Sequence, residues 1–435
     1  MKRITTRREF LGQTGAVIGA GYFVNPVPAL ESKSPNERLN IAAVGTSARA
    51  GANIRELASQ NIVALADIDA NFLNQAGTRY SGARKYEDYR VMLEKEADNI
   101  DAVMVGTPDH SHAPAAAMAL RLKKHVYCEK PLTHTVYEAR VLTKLAAKNK
   151  LVTQMGTQIH AGENYRRVVE LVQSGVIGEI REVHVWAGAK YTGAKFTKET
   201  AAPAHVNWDL WLGPAVARPY STGVHPFKWR SFWDYGTGAL GDFGCHYMDL
   251  AHWALDLKHP TRVSAVGPPV EAVSTPAWTI AHYDYPQRGK LPPVKLTWYD
   301  SGKRPPLLAK LRDKNGKAVN KGSGQLFVGK EGMILSDYGS YRLFPEEKFA
   351  DFTPPKPTIP PSLGHHREWI EAIKSGGTTT CNFDYSGALS EAVLLGTVAY
   401  RSGETIDWDA KNFKAKNAPA AQKLLHKEYR KGWSL

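Results

Sequence analysis

Cysteine is scarce: 435 residues hold only Cys128, Cys245 and Cys381, widely spaced and odd in number. That spacing builds neither a disulfide framework nor a cysteine-based zinc site, so buried thiols are expected. Long apolar runs are missing too. Past the amino terminus no stretch reaches the ~18 consecutive apolar residues a spanning helix needs, so no stable membrane insertion of the mature chain is expected. Dense runs of one charge are also absent. The net charge is +14, but the basic residues are scattered without a finger or basic-zipper pattern, which argues against nucleic acid as a partner. No internal repeat is visible, and no metal is assigned. What is present, 43% apolar and 23% charged residues with 37 Gly and 26 Pro, is an ordinary soluble composition long enough for two or three cores.

The first residues read as an address. Thr6-Arg7-Arg8-Glu9-Phe10-Leu11 sets two arginines before an apolar stretch, Leu11 to Val24, which four glycines make too short and too weak a helix former to span a bilayer. Small residues at Val27-Pro28-Ala29 suit cleavage. Residues 1–29 resemble a bacterial twin-arginine signal, which implies the twin-arginine export machinery as a partner, export in the folded state and a periplasmic or secreted location. Residues 30–37 read as a polar linker. The signal carries +3 of the charge and leaves +11 on the remainder.

From Leu39 onward, short apolar runs alternate with helical patterns. Ile41–Val44, Ile62–Ala66, Ala102–Val105, Val126–Cys128 and Leu151–Thr153 are expected strands, which implies βαβ units and a doubly wound parallel sheet over residues 38–157. After the first strand, Gly45-Thr46-Ser47-Ala48-Arg49-Ala50-Gly51 occupies the place of a phosphate-binding turn. Only two glycines remain of the usual glycine-rich pattern. Asp67 closes the second strand about 20 residues later, where a carboxylate accepts bonds from ribose hydroxyls and repels a 2′-phosphate. NAD is therefore expected over NADP, although Arg79 or Arg84 leaves NADP open. Residues 158–435 are expected to form a second α/β domain, since Ile180 to Trp186 alternates as a half-exposed strand.

Thr107-Pro108-Asp109-His110-Ser111-His112 follows the fourth strand, and Cys128-Glu129-Lys130-Pro131 follows the fifth, both at the ligand-binding edge of such a sheet. With Gly45, Asp67 and the downstream segment Gly238-Ala239-Leu240-Gly241-Asp242-Phe243-Gly244-Cys245-His246, the chain resembles the glucose–fructose oxidoreductase, inositol dehydrogenase and rhizopine catabolism (Gfo/Idh/MocA) family. Asn207 to Pro214 and Asn382-Phe383-Asp384 look like segments of its exported members. The resemblance implies an N-terminal Rossmann domain and a C-terminal domain on an open, mostly antiparallel sheet that supports homo-oligomer contacts. It implies Lys130, Asp242 and His246 as catalytic residues, in a dehydrogenase acting on a sugar, polyol or glycoside hydroxyl.

The residue chemistry agrees with that implication. Asp242 and His246 stand four apart, so a helix puts both on one face; Gly238, Gly241 and Gly244 are expected as a loop entering that helix. Histidine suits proton removal from a hydroxyl because its ordinary pKa lies near neutrality, and Lys130 suits a developing alkoxide. Gly45, Thr46, Ser47, Asp67, Thr107, Pro108, His110, Glu129, Lys130 and Gln158 are the expected cofactor contacts. His160, Tyr165, Trp229 and Arg230 are weaker candidates for substrate contact, and His365 with His366 reads as a structural pair. Export in the folded state suggests a tightly bound dinucleotide, reset in each cycle. Alternatives are a redox-neutral glycoside hydrolase and a non-catalytic sugar-binding protein.

Overall fold

The computed structural model describes residues 37–197 and 199–435; the signal and most of the linker lie outside the described residues. An alternating run opens the fold: β1 (Asn40–Val44), α1 (Ala48–Glu56), β2 (Asn61–Ala66), α2 (Ala70–Arg79), β3 (Arg84–Tyr86), α3 (Tyr89–Glu96) and β4 (Ala102–Val105). It continues through α4 (His112–Arg121), β5 (His125–Cys128), α5 (Val136–Asn149) and β6 (Thr153–Met155). These strands make one sheet in the order β3-β2-β1-β4-β5-β6, with every neighbour parallel. Ile41–Val44 and Ala102–Val105 are buried on both faces, which is why the central strands read as continuous apolar runs. The strand order reverses between β1 and β4, opening a crevice at their carboxyl ends.

Two departures from the sequence expectation have local causes. β6 begins at Thr153, two residues later than expected, because Lys150 turns left-handed to end α5 and Leu151 N donates to Ala146 O. β3, Arg-Lys-Tyr, is a short polar edge strand that an apolar pattern cannot reveal.

The second half begins with α6 (Glu163–Gln173), β7 (Ile180–Ala187), α7 (Trp208–Leu212) and α8 (Gly238–Ala254). Then come β8 (Arg262–Val266), β9 (Ile280–Tyr285), β10 (Val294–Asp300), β11 (Gly324–Gly329), β12 (Met333–Ser336) and β13 (Tyr341–Phe344). α9 (His365–Ser375), α10 (Phe383–Ser402), β14 (Ile406–Asp409), β15 (Lys414–Lys416) and α11 (Pro419–Leu424) follow. The nine strands form an open sheet in the order β13-β12-β11-β7-β10-β9-β8-β14-β15, in which only β7 and β10 run parallel.

Two packing events place the site. α8 lies across β7, β10 and β11 and is covered by α6 and α10. Meanwhile α9 returns to the first sheet, where Trp369 and Ile370 join Ile41, Leu65, Met104 and Tyr127 in one core cluster. Each large apolar side chain buried there contributes roughly 1.5–3 kcal/mol, so this late helix adds directly to the stability of the first sheet. Among the described residues no helix is long and apolar enough to cross a membrane.

Candidate active site

The turn after β1 is built by close approach. Gly45 has φ +88°, donates its N–H to Ala66 O at 2.8 Å, and could carry a Cβ only 3.0 Å from Gly106 O. Where glycine is usual, Ala48 adopts φ +45°, a left-handed backbone that its Cβ disfavours. Ser47 is the N-cap of α1 but makes no side-chain cap bond, so the first-turn N–H groups keep their attraction for an anion. Asp67 Oδ2 accepts from Thr46 N and Thr46 Oγ1, both at 2.8 Å, and its Oδ1 accepts from Asp69 N at 3.0 Å. Burial raises its pKa above the ordinary value against those three bonds. A carboxylate has about four acceptor positions, so one remains for a ribose hydroxyl. Arg84, one of the two arginines that would favour a 2′-phosphate, is paired with Glu96.

Lys130 and α8 meet across the seam between the sheets. Lys130 Nζ lies 2.6 Å from Asp242 Oδ1 and 2.8 Å from Asp242 O, and 5.7 Å from the centre of the Phe243 ring. Arg230 Nε stands 3.5 Å from the same Oδ1. Burial alone would raise Asp242, but Lys130 and Arg230 outweigh it and hold the carboxyl below its ordinary value. His246, one turn further on, has no hydrogen bond on either ring nitrogen among the described residues, and its Nδ1 is fully enclosed. Burial, with Lys130 beside it, pushes the imidazole down to about 3, well below the neutral range expected from the sequence. His246 is thus neutral at any physiological pH.

The three glycines expected as a loop lie inside α8 instead. Gly238 takes φ +69° at its first residue, a Cβ at Gly241 would lie 1.9 Å from Thr237 Oγ1, and one at Gly244 would lie 2.9 Å from Val393 of α10. Close packing, not a loop, explains the last two.

Behind Lys130 sits a relay the sequence reading assigned differently. Glu129 is buried, and its Oε1 accepts from Asn53 Nδ2 at 2.8 Å and from Gln158 Nε2 at 2.7 Å, while Gln158 also donates to Tyr127 OH. Burial raises Glu129 despite the adjacent Lys130. Glu129 and Gln158 therefore brace the Lys130 turn and α1 together. Thr107 and Pro108 lie at the end of β4, where Thr107 Oγ1 is buried with no hydrogen-bond partner among the described residues.

Four expected contacts are placed elsewhere. His110, expected at the cofactor, is fully buried with Nε2 2.9 Å from Trp211 O and Nδ1 3.3 Å from Tyr235 O, so it joins loops of the two halves. Tyr165 is buried beneath α8, donating to His246 O at 3.0 Å. His160 is stacked on Trp253 with ring centroids 4.1 Å apart, its Nδ1 3.0 Å from both oxygens of Asp249. Trp229 is buried as the platform under Arg230, whose guanidinium carbon lies 4.2 Å from its ring centre and 4.6 Å from that of exposed Phe227. Of the weaker candidates only Arg230 reaches the Lys130–Asp242 pair. His365 and His366 are structural: one holds Met155 O, the other Asn53 Oδ1. Cys128 and Cys245 are buried free thiols, and burial drives Cys245 up to about 12.

Sequence reasoning missed Asp109. It accepts from Thr237 Oγ1 at 2.8 Å, and burial with the nearby Asp242 charge raises it to about 7 against Lys130 and Arg230. Its signal was its place inside the Thr107–His112 segment. Tyr191, which lies beside Asp242 and stacks on Phe243, carried no such signal.

The residues present fit a dinucleotide: a switch-point crevice, an uncapped helix start, a carboxylate with one open acceptor position, and an orphaned hydroxyl on Thr107. Two family models match the chain, an oxidoreductase family's NAD-binding Rossmann fold over residues 15–157 and its C-terminal alpha/beta domain over residues 162–291. Together they span more than half of it. The chain belongs to the Gfo/Idh/MocA oxidoreductase family. It is 29% identical over 151 residues to an inositol 2-dehydrogenase of Rubrobacter xylanophilus, covering 34% of this chain and 43% of that protein. It is 26% identical over 196 residues to a levoglucosan dehydrogenase of Pseudarthrobacter phenanthrenivorans, covering 43% of this chain and 41% of the other. The chain thus spans under half the length of these curated relatives. In fold it is similar to the WlbA dehydrogenase of Chromobacterium violaceum, solved with NADH and UDP-GlcNAcA, at TM-score 0.59 and 16% identity over 86% of this chain and 97% of that one.

Proposed function

We propose that this member of the family is an NAD-dependent oxidoreductase acting on a sugar, polyol or glycoside hydroxyl, with Lys130, Asp242 and His246 as its catalytic residues. The carrying observation is the Lys130–Asp242 contact at 2.6 Å, with the unbonded His246 one turn away. Bound NAD supplies the hydride acceptor. The protein's part is to position one hydroxyl and take its proton. Lys130 Nζ donates to the reacting oxygen and stabilises negative charge as it develops. Asp242, kept ionised by Lys130 and Arg230, accepts from a neighbouring hydroxyl and fixes the ring. His246 Nε2 takes the proton, because Nδ1 is enclosed. Burial first and the Lys130 charge second hold it a weak base, so it takes the proton as the hydride leaves the carbon, and the imidazolium formed is favoured by the nearby Asp242 carboxylate. Gly45, Thr46, Ser47 and Asp67 hold the adenosine side, with Thr107 and Pro108 toward the nicotinamide.

The Arg7-Arg8 segment and the apolar stretch after it support export through the twin-arginine machinery to the periplasm or exterior. An exported enzyme has no evident soluble NAD pool, so the dinucleotide travels tightly bound and is reset in each cycle. The open sheet supports homo-oligomer contacts. Sugar or polyol substrates accord with the names of the inositol and levoglucosan dehydrogenases.

Denaturing purified mature protein and analysing the supernatant by mass spectrometry tests the reading: NAD or NADH is expected at near one per chain. No released dinucleotide together with no binding on titration sinks it in favour of a non-catalytic sugar-binding protein. Aglycone release from glycosides without net cofactor reduction would instead mark a redox-neutral glycoside hydrolase.

A further inference from the structure

A cavity of about 200 Å³, lined by none of Lys130, Asp242 and His246, lies between the start of α5, residues 214–237, α10 and the segment after α11. Its walls include Trp233, Thr397, Arg401, His134 and Lys427. We propose that it binds a small carboxylate or phosphate anion, seated on the Arg401 guanidinium.

The charges on its wall are unequally spent. Lys427 uses its donors within the protein, at 3.1 Å to His134 Nδ1, 3.3 Å to Glu138 Oε1 and 3.4 Å to His110 O. Glu138 is further held by Tyr429 OH at 2.7 Å and by the N–H groups of His134 and Thr135. Asp234 is paired with Arg218 at 2.8 Å. Arg401 differs: among the described residues its guanidinium makes no hydrogen bond and no ion pair; the Trp233 ring lies 4.8 Å from its Cζ, and the charge of Asp234 acts on it from beyond ion-pair distance. A half-buried guanidinium with its planar fork open is costly unless an anion with matching oxygens takes it up.

Thr397 lines the cavity one helical turn before Arg401 on α10, but its hydroxyl is itself enclosed, so it shapes the wall without offering a donor to an occupant. Arg401 is therefore the wall's open donor, a planar fork with no hydrogen bond among the described residues. Size sets the class of ligand. The cavity holds many times the volume one water needs, yet falls below the roughly 300–1,000 Å³ of pockets that enclose larger organic ligands. Trp233 suits the flat face of a carboxylate lying in the guanidinium plane. The same loop carries Thr237, which holds Asp109, so an occupant would lie near the Lys130 site without entering it.

The test is thermal unfolding of the NAD-saturated protein titrated with malonate or inorganic phosphate, sodium chloride holding the ionic strength constant. Saturable stabilisation is expected with at least one of the two, and which one saturates separates carboxylate from phosphate. Arg401→Gln should weaken it about tenfold or more, as loss of a bidentate charged contact does, and Arg401→Lys should weaken it less, because it keeps the charge and loses the fork. No saturable shift with either anion overturns the proposal. So does an unchanged shift in both variants; if Arg401→Gln fails to fold, Arg401→Lys and a malonate-soaked crystal decide it.

Discussion

Asp109 shows how much one carboxyl can carry. Enclosed beside a second carboxylate, it titrates near about 7, whereas in the unfolded chain it would release its proton near the ordinary 3.8. Between those values the folded state holds a proton that the unfolded state has released, so this group's contribution to stability is complete below about 4 and is lost as pH rises through about 7. Asp109→Asn keeps the bond from Thr237 and removes the titration. Comparing urea midpoints of the two proteins from about pH 4 to about pH 7, the wild type should lose ground to the variant by up to about 1.4 kcal/mol per pH unit. Parallel curves would show that Asp109 does not hold its proton. At this scale, too, lies the difference between His246 as sequence suggests it, a near-neutral base, and as the fold makes it, an imidazole depressed first by burial and then by the Lys130 charge.

At the scale of elements, the turn between β1 and α1 carries a cost that its sequence advertises. Ala48 sits at φ +45°, which costs an L-residue about 1–2 kcal/mol, while glycine there would forfeit about 0.5–1 kcal/mol of chain entropy. Ala48→Gly should therefore stabilise the protein slightly, by about 0.5 kcal/mol, measured as a raised urea midpoint with unchanged slope; a lowered midpoint would mean that the alanine methyl packs usefully. The central strands of the first sheet were legible because burial leaves unbroken apolar runs, while the polar edge strand β3 was not; Asp242 with His246 was legible because a four-residue spacing survives in any helix. What could not be read was contact between distant segments. Nothing in the spacing of Asn53 or His366 announces that they meet, or that Asn53 reaches Glu129; α9 must first fold back on the opening sheet. His110 and Tyr165 were misplaced for the same reason: their motif positions were right, but their partners, Trp211 O and His246 O, come from remote parts of the chain.

For the whole molecule, several enclosed imidazoles stay neutral in the fold, and two of them, His110 and His366, bond across the two halves. Burial pushes His110, His246 and His252 down to about 3, and His112 and His366 to about 4. Each takes up a proton below about 6.5 when unfolded and refuses it when folded, so each costs up to about 1.4 kcal/mol per pH unit as the pH falls below that value. Cooperative unfolding is expected well above the pH at which surface carboxylates titrate, seen as a steep loss of the urea midpoint between about pH 6.5 and about pH 5; a flat profile there would contradict the burial of these rings. The seam matters because it brings Lys130, just past β5, to Asp242 and His246 on α8, the helix that lies across the second sheet. The central claim is that this meeting point oxidises a carbinol carbon, and transfer of deuterium tests it most directly. The protein is incubated with C-deuterated cyclitols and aldohexoses, quenched with acid, and its nicotinamide analysed by mass spectrometry. Deuterium should appear on the nicotinamide in the wild type and be absent from Lys130→Met, which retains its dinucleotide. Equal labelling in both proteins, or none in a wild type that carries NAD, would contradict the account.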